Sequence, residues 1–155
     1  MLKGYITNLG EYSNGSVVGK WVEFPTTDTL EEVLEDIGSP EEYFFTDYDN
    51  DINIDLGEFE DFNRLNDLAE RLEGVDTDLI AAYIEAYNSD IEDVLDHIDD
   101  VVWYPGYTLE DVAFEIANDC YNIPEEIAAY FDYEKFAQDL SYGGYCETEH
   151  GVICY

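Results

Sequence analysis

Tyr5-Ile6-Thr7-Asn8-Leu9, then Gly10-Glu11-Tyr12-Ser13-Asn14-Gly15-Ser16, then Val17-Val18-Gly19-Lys20-Trp21-Val22-Glu23-Phe24 is the stretch whose reading decides the fold. Its outer segments are rich in β-branched and aromatic residues, which suit a pleated, half-buried surface. The segment between them holds a turn-forming Asn-Gly, so the pattern predicts a β-hairpin. Further along, Tyr43-Phe44-Phe45-Thr46 predicts a third strand. Before it, Asp28 is placed to cap a helix with Glu31 at the third position, and Leu30, Val33, Leu34 and Ile37 form one apolar face. Gly38 and Pro40 end that helix. Residues 1–58 therefore read as a small antiparallel sheet with one helix.

Beyond this sheet the periodicity becomes helical. Leu65, Leu68, Ala69 and Leu72 share one face before Gly74, and Ile80, Tyr83, Ile84 and Tyr87 repeat the spacing. Ser89 and Glu92 make a capping box ahead of Val94, Leu95 and Ile98. A segment of about forty residues holds little core, so residues 59–100 are expected to lean on their neighbours. Residues 101–155 are mixed. The strand-like Val101-Val102-Trp103-Tyr104 stops at Pro105-Gly106, and a helix follows with Thr108 and Asp111 as its capping pair. Pro124 and Asp132 open two more helices, and Tyr142-Gly143-Gly144-Tyr145-Cys146 pairs with Val152-Ile153-Cys154-Tyr155 as a hairpin. The fold class is α+β, a chain of three small domains at 1–58, 59–100 and 101–155.

Charge sets the functional expectation. Five Lys and Arg stand against 39 Asp and Glu, a formal net charge of −34 over 155 residues. Such acidity is common in disordered chains, but 46% hydrophobic and 15% aromatic residues are enough to build cores. Ordinary surfaces intersperse both signs, so a folded chain with this much self-repulsion is expected to use the field it creates. Duplex DNA carries one charge per about 1.7 Å of axis, so this charge corresponds to about 58 Å, or roughly 17 base pairs. The expectation is a DNA mimic directed at a protein that binds a polyanion. Binding to nucleic acid or to an anionic membrane is excluded, because five scattered cations cannot neutralise phosphates.

The acidic residues mostly lie opposite the apolar stripes. The candidate partner-binding set is Glu31, Glu32, Glu35, Asp36, Asp47, Asp49 and Asp51, then Glu85, Asp90, Glu92, Asp93, Asp96, Asp99 and Asp100, then Glu110, Asp111 and Glu115. Residues three or four apart on a helix lie about 5–6 Å apart, close to the spacing of neighbouring phosphates, so carboxylates on rigid elements can imitate a backbone. For any single cluster the plain alternative is a solvated acidic face. For the whole molecule it is the acid enrichment of a salt-adapted organism. Aromatic, low-charge surface gathers instead at Tyr130, Phe131, Tyr142 and Tyr145, the candidate homodimer interface.

Sharper motifs resolve less. Asp47 to Glu58 has oxygen ligands at positions 1, 3, 5, 7, 9 and 12 and resembles an EF-hand loop. Ile52 stands where the sharp turn needs Gly, and a strand precedes it, so a polar turn is the expected structure. Cys146, His150 and Cys154 are too few for a zinc site. With two His and no nucleophile elbow or phosphate loop, no catalytic residue, metal or cofactor is expected. An odd count of three Cys suits reduced thiols in the cytoplasm. No secretory signal or membrane span is apparent. Leu72, Val75, Ile80, Ile84, Ile91 and Leu95 also resemble the apolar spacing of three-helix ubiquitin-binding modules, but the loop that touches ubiquitin is missing.

One resemblance covers nearly the whole chain. Tyr5-Ile6-Thr7-Asn8-Leu9-Gly10 with Tyr12, Asn14-Gly15 and Gly19-Lys20-Trp21-Val22-Glu23-Phe24-Pro25 resembles the start of ArdA-type antirestriction proteins. Glu41-Glu42-Tyr43-Phe44-Phe45-Thr46-Asp47-Tyr48 resembles their next motif. Tyr130-Phe131-Asp132-Tyr133-Glu134-Lys135-Phe136-Ala137-Gln138-Asp139-Leu140 with Gly144-Tyr145 resembles the C-terminal one, where Gln138 replaces a common Arg. The resemblance implies an elongated, three-domain homodimer that mimics bent B-form DNA. It also implies binding to Type I restriction-modification enzymes, on behalf of mobile elements or phages in a bacterial host. The alternative function is an acidic module that blocks another basic DNA-binding protein or defence system; a calcium-binding module ranks below it.

Overall fold

The computed structural model describes residues 1–155, which gather into two units, Met1–Val75 and Asp76–Tyr155. In the first, β1 (Leu2–Asn8), β2 (Gly19–Phe24) and β3 (Tyr43–Asn50) form an antiparallel sheet in the order β2-β1-β3. The β1–β2 pairing expected from the opening stretch is present, with Leu2 opposite Phe24 and Thr7 opposite Gly19. The connection differs from a tight Asn-Gly turn. Leu9–Ser13 is a helical turn, α1, because the Asn8 side chain accepts the Glu11 N–H at 3.0 Å and caps it. Asn8 is itself buried and donates to the Ile37 carbonyl at 3.0 Å, tying the sheet to the end of α2 (Leu30–Asp36).

The cap of α2 lies one residue later than Asp28. Thr29 accepts the Glu32 N–H, and Glu32 accepts the Thr29 N–H at 2.8 Å. The core of this unit is aromatic. Phe24, Phe45 and Phe62 are almost fully buried and meet edge-on, Phe24 lying 6.3 Å from Phe45 and 5.3 Å from Phe62. Phe45 lies so close over β1 that a Cβ on Gly4 would sit 2.8 Å from its ring. Phe62 opens α3 (Phe62–Leu72), whose buried Leu65, Leu68 and Ala69 confirm the predicted stripe.

In the second unit, β4 (Val102–Pro105), β5 (Tyr145–Thr148) and β6 (Gly151–Cys154) form an antiparallel sheet in the order β4-β6-β5. Successive strand residues point to opposite faces, and Val152 and Ile153 are both fully buried, so β6 is covered on both sides. The covering helices are α4 (Thr77–Tyr87), α6 (Leu109–Cys120) and α8 (Tyr133–Tyr142). Shorter pieces complete the unit: α5 (Ile91–His97), a 3-10 turn at Ile98–Asp100, and α7 (Glu125–Ala128). Asp90, not Ser89, caps α5 by accepting the Asp93 N–H at 2.9 Å. Burial of Ile91, Val94 and Ile98 sets that register. The Thr108–Asp111 box and the Asp132 cap form as predicted.

The central helices therefore do not act as one trio. The first joins the N-terminal sheet, while the second and third belong to the C-terminal unit, which argues against a ubiquitin-binding bundle.

Candidate functional site

None of the predicted carboxylates is buried, and the elements hold them in rows. On α2, Glu31 and Glu35 are one turn apart, as are Glu32 and Asp36. Along α5 and the turn after it, Asp96 lies four residues after Glu92, and Asp99 and Asp100 lie three and four residues after Asp96. Asp47 and Asp49 alternate on the edge strand β3, about 7 Å apart at the usual rise of a strand. Glu110, Asp111 and Glu115 ride on α6.

Many of these side chains already have work inside the fold. Glu32 and Asp111 close capping boxes, and the hydrogen bonds from Thr29 and Thr108 hold both carboxyls below the usual range. Asp90 caps α5. Asp36 binds the Lys20 ammonium at 2.6 Å and raises its pKa. Asp51 pairs with the N-terminal ammonium, which lowers its own. Asp47 accepts the Tyr48 N–H at 2.9 Å. Glu85 accepts the Glu149 N–H at 3.0 Å across 64 residues, and Glu115 accepts the Tyr107 hydroxyl at 2.7 Å. Asp93 meets His97 Nδ1 at 3.2 Å, while its backbone carbonyl is the main cause of a raised His97 pKa. Glu31, Glu35, Asp49, Asp99, Asp100 and Glu110 have no such partner.

The dimer candidates divide by exposure. Tyr130 is 86% exposed and Tyr142 79%. Phe131 and Tyr145 are half-buried. Phe131 belongs to an aromatic group, 4.8 Å from Tyr133 and 5.8 Å from Phe136.

The metal motifs come apart. The first four positions of the EF-hand-like loop lie in β3, where an extended backbone cannot wrap a cation. Cys146 pairs with Ile153 and Cys154 with Tyr145, so the two thiols point to opposite sheet faces. His150 instead faces Asp78 at 3.2 Å. No group of three or more His, Cys, Asp or Glu is arranged to hold a metal ion. No helix is long and apolar enough to cross a membrane.

Against this geometry, the model of the antirestriction protein (ArdA) family matches residues 4–154. The chain belongs to the ArdA antirestriction family. That membership assigns it to action against restriction-modification systems. No curated protein matches the chain.

The predicted carboxylates do not include Glu41 and Glu42. Both are exposed and without a salt bridge, on the segment that leads into β3. The available signal was their place in the Glu41-Glu42-Tyr43-Phe44 motif, where two adjacent acids stand against a run of rings.

Proposed function

We propose that this ArdA-family protein occupies the DNA-binding channel of a Type I restriction-modification enzyme, with its carboxylates standing in for phosphates. The observation that carries the reading is that 39 acidic residues face only five Lys and Arg, while the acidic candidates lie unburied in rows on helices and an edge strand. A channel that wraps DNA gains much of its affinity from Lys and Arg meeting phosphates. Carboxylates held in advance engage those cations by charge-assisted hydrogen bonds. Such a surface carries no base sequence, so inhibition is independent of which site the enzyme reads. The test is displacement of duplex DNA from a Type I methyltransferase. Release at micromolar protein and low salt, fading as salt rises, is the expected result; no displacement sinks the target.

The reading includes a homodimer formed through the third segment, 101–155. Long-range repulsion opposes pairing of two such chains, so contact must form where charge is low. The exposed rings of Tyr130 and Tyr142 support that face, with Phe131 and Tyr145 beside them. Sedimentation is expected to show a dimer that tightens with salt. A dimer left intact by Tyr130→Asp with Tyr142→Asp would move the interface elsewhere. The site of action is the cytoplasm of the bacterial host, where the restriction enzyme meets DNA.

A further inference from the structure

The N-terminal unit has a second kind of feature on its surface, a recess lined by apolar and aromatic side chains together with two acids. Leu9, Tyr43 and Phe59 line it together with Glu41 and Glu42, enclosing about 340 Å³. That is the small end of the range for ligand pockets, suited to a side chain rather than to a cofactor. Phe59 is 74% exposed, so it is not there to fill the core. One face of its ring stacks on Phe44 at 6.1 Å and 26°, and Phe44 is braced edge-on by Tyr12 at 5.1 Å. The ring thus packs on a braced neighbour while most of its surface stays open. Neither glutamate is neutralised, although the four Lys and Arg of this unit, Lys3, Lys20, Arg64 and Arg71, are in the same sequence segment.

We infer that this recess receives one arginine side chain of the basic partner protein. The inference rests on the proposed function for the partner's basic character, and on the recess alone for the residue type. A guanidinium is planar and weakly hydrated, lies flat on aromatic rings, and forks toward carboxylates; an ammonium is compact and strongly hydrated. Apolar and aromatic lining beside two carboxylates without a salt bridge complements the first and offers the second little beyond charge. The recess then adds an anchor of fixed position to a surface that otherwise acts through many dispersed charges, since buried aromatic–arginine contacts dominate interfaces where they occur.

The experiment is a two-dimensional NMR titration of the full chain with acetyl-arginine-amide, acetyl-lysine-amide and acetyl-norleucine-amide at one ionic strength. Expected are shifts of Leu9, Tyr43 and Phe59 that saturate with the arginine compound at several-fold lower concentration than with the lysine compound. Phe59→Ala and Phe59→Leu should both abolish that preference, the second showing that a π face rather than bulk is required. Because Phe59 is exposed, neither change endangers folding. Equal response to arginine and lysine, shifts no larger here than at other acidic clusters, or a preference that survives Phe59→Leu would overturn the inference. Displacement of DNA from the Type I enzyme is the second reading, where Phe59→Ala should lose at least tenfold in potency with an unchanged salt slope. The titration needs no enzyme, so it decides the recess even where displacement by the unaltered protein fails and the target itself is wrong.

Discussion

The two units handle the same excess of negative charge differently. Met1–Val75 has 19 Asp and Glu against four Lys and Arg, a net −15, whereas Asp76–Tyr155 has 20 against one, a net −19. In the first, cations are spent on neighbours: Lys3 opposite Glu23 across the strands, Lys20 on Asp36, Arg64 on Glu60, and the N-terminus on Asp51. In the second, His97 pairs with Asp93 and His150 with Asp78, and many carboxylates accept backbone N–H groups. Asp76, Asp90, Asp111 and Asp132 cap helices, Glu147 accepts the Leu109 N–H at 2.6 Å, and Glu85 accepts that of Glu149. A backbone partner keeps the carboxylate's full charge, while a lysine cancels it. The C-terminal unit thus uses its acids structurally without weakening its field.

The cores differ as well, and here the largest effect is expected. Phe45 is 1% exposed and packs over Gly4, against Phe24 and in stacking contact with Tyr48. Phe45→Ala should destabilise the N-terminal unit by about 3–5 kcal/mol, read by urea unfolding with hydrogen exchange to locate the loss. An exchange loss spread evenly over both units would break the comparison.

Next in size is the contribution of free carboxylates to binding. Neutralising Asp99, Asp100 and Glu110 together should weaken inhibition more than neutralising Glu31, Glu35 and Asp49, because the C-terminal unit has one Lys or Arg against four in the N-terminal unit. Each exposed carboxylate should account for less than about fivefold. A single substitution that abolished inhibition, or equal losses from the two triples, would show that charge density does not distinguish the units.

Capping gives a smaller effect. Thr108→Ala removes the acceptor for the Asp111 N–H and should cost about 1 kcal/mol. Thr29→Ala should act alike on α2. Thermal melts check both, and unchanged stability would mean that the boxes are decorative.

The smallest effects are those of salt and pH on melting temperature. Added salt screens repulsion and should raise it by a few degrees. The raised His97 pKa means that its stabilising contribution is complete below about pH 6.5 and is lost as pH rises through its folded value. Glu32, Asp51 and Asp111, with lowered values, act in the opposite sense: their contribution is present above about pH 4 and is lost below it. Stability should therefore rise on mild acidification from neutrality and fall in stronger acid. His97→Gln should flatten the upper part of that profile; an unaltered profile would remove His97 from the account.

Local chemistry in the sequence determined a good deal of this molecule. β-Branched and aromatic residues marked β1, β2 and β3, and Gly38, Gly74 and Gly106, all at positive φ, marked the stops. Thr108 and Asp132 marked helix starts, because a cap acts within three residues of itself. The acid excess and the family motifs lie in composition and order alone. Tertiary structure decided the rest. The caps of α2 and α5 fell one residue away from the first acceptable acceptor, since burial of Val33 and of Ile91, Val94 and Ile98 sets helix phase. The helix α3 joined the N-terminal sheet because Phe62 and Phe24 needed each other's surface. Which carboxylates remain free was likewise invisible in the chain, where every Asp and Glu looks alike. Partners such as Glu85 with Glu149 and Lys20 with Asp36 come within hydrogen-bonding reach only after the chain has folded.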